Sequence, residues 1–281
     1  MTIRMLSTTW FGLAALCLFA SGCTSTGIIG HEIVFGPVVT VPAMSIATTS
    51  AQCPPSKVAL SAGFIFEAGS DPDTRFGLEM RGAIPDGRLG TVLMRNANLF
   101  VAATAQAIAV CVQAPAGLRV MGALGDCADN ERLVGGGYMG DETTWVADNG
   151  PKRLPTGKID WGMHIVEFGT TSGVGDPPPP LHPGWRGLCA PATSVDGLEF
   201  VDSAPVSLGR RAAAPLTQVC PIGKVLLGAG VTLQGGDQLD LVTSSLRLSD
   251  NQVTAQVLNR NVLGTSGPVS AVLGALCAKP Q

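Results

Sequence analysis

The sequence predicts an all-β protein built from three repeated units, and three observations carry that prediction. Six cysteines recur in matched pairs, Cys53 with Cys111, Cys127 with Cys189 and Cys220 with Cys277, spaced 58, 62 and 57 residues apart. The 36 glycines and 20 prolines interrupt helices wherever they fall. Past residue 23, apolar residues come in short runs at alternate or adjacent positions bounded by Gly, Asp or Asn, which are strand signals. Composition narrows the class further. Only 14% of the 281 residues are charged, too few for a solvated disordered chain. Eighteen Lys and Arg against 21 Asp and Glu give a net charge of −3, which provides no electrostatic footprint for nucleic acid.

The mean hydropathy of +0.32 raises the question of a membrane span. The first segment answers it. Arg4 precedes the apolar run Trp10–Ala20, which as a helix covers about 16 Å, short of a hydrocarbon core of about 30 Å. Residues 1–22 therefore read as a signal peptide. The following Ala20-Ser21-Gly22-Cys23 resembles the lipobox of bacterial lipoproteins. That resemblance implies that Cys23 is lipidated as the first mature residue. It also implies that Thr24, standing where Asp commonly retains lipoproteins at the inner membrane, directs the chain to the outer membrane. No later apolar stretch reaches 18 residues, so attachment rests on acyl chains, on the periplasmic or cell-surface face. Residues 23–30 form a lipidated tether.

Three β units follow, over residues 31–113, 114–192 and 195–281. Glu32-IVFGPVVTV is a leading strand, as is Leu198-EFVDSAPVS in the third unit. Each unit then opens with a cysteine, three turn-like residues, Lys or Glu, a short apolar run and a glycine at the tenth position, Gly63, Gly137 and Gly230. The middle strands Thr91-VLMRNAN, Gly162-MHIVEFG and Thr254-AQVLNRN align. Val101–Val112 has a composition a helix would tolerate, but its counterpart in the third unit is rich in Gly and Val and sides with a strand. The closing segments AQAIAVCV, GWRGLCAP and LGALCAKP carry the second cysteine of each pair. A common unit thus predicts three disulfides, as an exported compartment favours; no CxxC or Cys/His cluster offers a metal instead. The second unit departs from its sisters at residues 141–160 and in a loop 169–184 with the run Pro177–Pro180, which belongs on the surface.

The opening form, clearest over Cys220–Gly230, resembles repeat units of secreted bacterial proteins of largely unassigned function. Three β units with one disulfide each are also similar to the vitelline membrane outer layer proteins, which implies a pseudo-threefold β-prism. Cysteine spacings near 60 suit tandem small β-sandwiches as the alternative, with Trp161 as a midway core Trp in one unit.

Little in the sequence points to catalysis. Gly135–Gly140 fits G-x-G-x-x-G, with Asp160 twenty residues on, but no helix pattern follows and the sister units carry glycine in the same slot, so a bulge or close backbone approach is the simpler reading. His31-Glu32 lacks a second zinc-binding His, and His164 sits on a strand. No nucleophile elbow or triad pattern occurs. The sequence therefore predicts no enzyme, no cofactor and no metal, but a surface structural or binding module held to the membrane by its lipid. A glycan or another cell-envelope component is the expected partner class. The alternative is a lectin-like site in the second unit, where Trp145, Trp161, His182 and Trp185 gather the aromatics that stack on sugar rings, against the competing reading that scarce aromatics fill a core.

Overall fold

The structure is a computed structural model that describes residues 27–68, 72–121, 127–140, 144–167, 184–234, 241–260 and 269–281. These are almost wholly strand, joined by turns and by short 3-10 segments at Pro72–Gly77 and Ala192–Ser194. The first unit holds β1 (Glu32–Val41), β2 (Ser45–Gln52), β3 (Val58–Ala68), β4 (Leu78–Asp86), β5 (Leu89–Asn96) and β6 (Ala103–Val112). The second holds β7 (Arg119–Met121), β8 (Glu131–Met139), β9 (Thr144–Arg153), β10 (Ile159–Glu167) and β11 (Trp185–Pro191). The third holds β12 (Glu199–Asp202), β13 (Val206–Leu208), β14 (Ala213–Val219), β15 (Val225–Gln234), β16 (Leu241–Leu248), β17 (Gln252–Asn259) and β18 (Val269–Ala278). The segment whose composition tolerated a helix is strand β6.

All three disulfides join the pairs that the repeat predicts, with Cα–Cα separations of 5.6, 5.6 and 5.7 Å. Each ties the turn before the unit's long central strand to the far end of its last strand. Both strands so tied, β3 with β6 and β15 with β18, are buried along nearly their whole length. Strands covered on both faces read as continuous apolar runs, which contributes to the low charge and positive hydropathy. Strands such as β5 and β17 alternate buried and partly exposed positions because only one face is covered.

Every unit divides into two half-sheets. One is β1-β6-β3, with β7-β11-β8 and β12/β13-β18-β15 as its sisters. The other is β4-β5-β2, with β9-β10 and β16-β17-β14 as sisters. Within the first unit the halves lie against each other, so closely that a Cβ on Gly90 would come within 2.8 Å of the Ala109 Cβ. The halves also pair with neighbouring units, and β3 meets β8 in a parallel pair at Ser61↔Gly136. Strand β4 pairs with β8 at Gly82↔Met139 and Ala83↔Tyr138, β9 with β15 at Asn149↔Val231, and β16 with β3 at Leu246↔Phe64. The seams run from unit one to two, two to three and three to one, so the units close around a pseudo-threefold axis. The arrangement is neither a closed barrel nor a string of separate sandwiches.

The repeated glycine makes these seams possible. A Cβ at Gly63 would stand 2.5 Å from the Leu246 carbonyl oxygen, and Cβ atoms at Gly137 and Gly230 would overlap the carbonyl oxygens of Ala83 and Asn149. Bulges accompany them in register. Leu60, Val134 and Leu227 drop out of the ladder to the last strand of their unit, and all three are fully buried. Across the seams Arg81, Ala147 and Ser244 drop out likewise, each two residues before the seam residue. The expected bulge and the expected close approach are thus both present, on neighbouring positions.

The described chain begins at the cysteine end. Ile28 donates its amide to the Lys279 carbonyl at 2.9 Å, Gln113 donates to Ile29 at 3.0 Å, and His31 Nε2 lies 2.7 Å from the Leu226 oxygen. Burial pushes the His31 pKa below its ordinary 6.5, outweighing the Leu226 carbonyl and Asp250, which hold it up. The folded state therefore prefers neutral His31, and the unfolded chain binds the extra proton first. Stability from this group is complete above about pH 6.5 and is lost as pH falls below it. The stability gap between wild type and His31→Gln is expected to shrink from about pH 7.5 to about pH 5.5 in denaturant titrations. In the same assay Gly230→Val should cost about 3 kcal/mol or block folding. Gly209→Ala, where an added Cβ meets nothing within 4 Å, should stay within about 0.5 kcal/mol.

Candidate functional site at the loop end

Strand direction sorts the connections into two sets. The three cysteine turns and the β4–β5, β9–β10 and β16–β17 hairpins share one end with residues 27–30. The links β1–β2, β3–β4 and β5–β6, with their counterparts in the other units, leave from the opposite end. That second end is the candidate site.

In the first unit this end is built on Asn96. Its Nδ2 donates to the Val41 and Val101 carbonyls at 3.1 and 2.8 Å, and its Oδ1 accepts from the Asn98 amide and Nδ2. Asn98 in turn donates to the Thr74 carbonyl at 3.0 Å, and the Met44 amide donates to the Asn98 carbonyl at 3.0 Å. The equivalent Asn259 of the third unit donates to the Leu208 carbonyl, so this buried amide is a repeated device for closing the strand ends. Its consequence in the first unit is that two loops meet and present Met44, Leu99 and Phe100 outward, at 55%, 66% and 91% exposure.

Beside this apolar tip lies a buried charge cluster. Glu79, 1% exposed, accepts from Arg81 Nη2 at 2.7 Å, from Arg95 at 3.5 Å and from Arg260. Burial pushes the Arg81 guanidinium below its ordinary value and Glu79 holds it up. Arg81 is the bulge residue of β4, and the bulge turns it into the interior. Arg260 belongs to the third unit, so the cluster bridges units three and one. The Arg211 guanidinium over the Phe76 ring, 5.7 Å from its centroid, bridges them again. One carboxylate faces three guanidiniums, of which Arg95 and Arg260 reach solvent.

The residues singled out from the sequence fall unevenly. Trp161 is no part of an accessible site. It is 3% exposed, lies against Gly136 and Gly228 near the axis, and donates Nε1–H to Asn149 Oδ1 at 2.7 Å. Gly136 of its own unit and Gly228 of the third leave room for one indole, and the second of these a single unit's sequence does not reveal. Trp145 and Trp185 lie on β9 and β11 where those strands start, at the loop end. His182 and Cys23 lie outside the described residues. His164 pairs with Asp148 on β10, and Gly135–Gly137 lie within strand β8 rather than at a strand-to-helix turn. The apolar tip escaped the sequence reading, although Leu99-Phe100 directly after a turn-like Asn-Ala-Asn was its signal.

Two grooves lie at the cysteine end. The larger, about 620 Å³, lies between Phe200 of the third unit and the β9–β10 hairpin. Its charges pair locally: Lys158 with Asp129 at 2.8 Å, Arg119 with Glu131, and Lys224 with Glu199. A scan against protein-family models and a search of curated proteins found no match to the chain. Glu79→Gln should destabilise the fold by about 3 kcal/mol, because it strands buried Arg81 beside two further cations. Equilibrium unfolding of the Gln variant checks this.

Proposed function

We propose that the chain is a lipid-anchored, non-catalytic module of the bacterial outer membrane whose loop end binds a cell-envelope partner. The observation that carries the reading is the separation of the two ends. The described chain starts at the cysteine end, four residues after Cys23, while the exposed tip Met44, Leu99 and Phe100 stands at the opposite end. Three disulfides stiffen the anchored end, and loops on a rigid β scaffold are favoured places for recognition. Contiguous exposed apolar side chains rimmed by polar groups mark interaction surfaces. Arg95 and Arg260 next to the tip suit a partner that offers apolar surface beside an anionic group.

A lectin-like surface is the second reading, supported by Trp145 and Trp185 starting their strands at the same end. With Trp161 in the core, such a site reduces to Trp145, Trp185 and His182.

Wild-type chain is expected in the outer-membrane fraction with acyl chains on Cys23, and Cys23→Ser in the soluble periplasmic fraction. Membrane retention of the Ser variant sinks the anchoring. Phe100→Asp should weaken binding to purified cell-wall sacculi about tenfold while leaving glycan-array signals unchanged. If instead Trp185→Ala removes glycan-array binding and Phe100→Asp changes nothing, the lectin reading replaces the first.

A further inference from the structure

The number of residues between Cys23 and the folded body limits how that body can stand on a membrane. Cys23 and Gly27 are four residues apart, and an extended chain covers at most about 3.6 Å per residue, so the body lies within about 14 Å of an acylated cysteine. The headgroup layer itself takes up about 6 Å of that reach. The fold is already in place at Ile28, whose amide and carbonyl bond Lys279 and Gln281 and which is 2% exposed. The tether thus leaves no room for the molecule to stand off or tumble freely.

The cysteine end is also shaped for such a contact on the side where the chain comes in. Residues 28–31 run between the third and first units, with His31 on Leu226 and Gly30 beside the Lys57 side chain. The turns flanking them carry apolar tips. Ile222, two residues after Cys220, is fully exposed; Pro55, at the same position after Cys53, is also exposed. Val219 and Ile29 add half-exposed aliphatic surface. The second unit has Asp129 at the corresponding position, paired with Lys158.

We propose that the cysteine end rests on the lipid surface, with Ile222, Val219 and Ile29 in the headgroup layer, and that the loop end faces away from it. The inference rests on the lipid-anchored reading above. Burying this apolar rim in the headgroup layer adds to the hold of the acyl chains.

The test uses the full acylated chain in phosphatidylethanolamine/phosphatidylglycerol vesicles containing brominated acyl chains. A fluorophore is attached in turn to Ile222→Cys and Phe100→Cys, both at highly exposed positions where a label leaves the fold intact. Quenching at 222 should exceed quenching at 100 at least about threefold. Mass spectrometry of the N-terminal peptide reports the acylation of Cys23 separately. Acylated chain with equal quenching at both positions, or stronger quenching at 100, overturns the orientation and leaves the anchoring standing. Chain without acyl groups overturns the anchoring and this inference with it.

Discussion

The fold depends on the approach of each unit's central strand to the carbonyl edge of its neighbour. At Gly63, Gly137 and Gly230 the backbone of the preceding unit around the axis occupies the space where a side chain would begin. That approach lets β4 bond β8, β9 bond β15 and β16 bond β3. The rest of the architecture follows from it. The bulges at Leu60, Val134 and Leu227 fall just before the seam, and register shifts at Arg81, Ala147 and Ser244 accompany them on the partner strand. Because each unit pairs strands with both neighbours, the sheets run across the units rather than within one.

Two departures from threefold symmetry among the described residues lie where the units meet. Position 161 carries the indole that fills the axis against Gly136 and Gly228, and Asn149 bonds both that indole and, at 3.3 Å, the Ala83 carbonyl of the first unit. Where units three and one meet, Glu79 takes Arg81, Arg95 and Arg260, and Arg211 covers Phe76. A buried ion cluster of this kind adds little net stability over an apolar one, yet leaving any member without its partner costs several kcal/mol. It therefore favours one pairing of these two units over alternatives of similar hydrophobic content.

How much of this could be read in advance depended on whether a signal was local or shared between units. The strand character of β5 and β17 is local, since one covered face imposes alternation, and it was legible. The disulfide pairing was legible because the repeat placed equivalent cysteines at equivalent distances. Trp161 was legible in part: its place midway between the cysteines reads as a core Trp, as its burial bears out, but the glycines that receive it include one from another unit. The partners of Glu79 were hidden for the same reason, since Arg260 lies 181 residues away.

The sequence by itself determined the β class, the cysteine pairs and the position of the critical glycine, because each is a property of residue type and spacing within one stretch of chain. Only the tertiary structure decided that the glycine serves a neighbour rather than its own unit. It also decided that the seams close from the third unit back to the first, and that residues 27–30 lie at the end away from Leu99 and Phe100. The physical reason is that hydrogen bonds across a seam are made by backbone groups, which every residue carries. Nothing in a side-chain pattern states which strand they will find, and only the close approach permitted by a missing Cβ makes the choice.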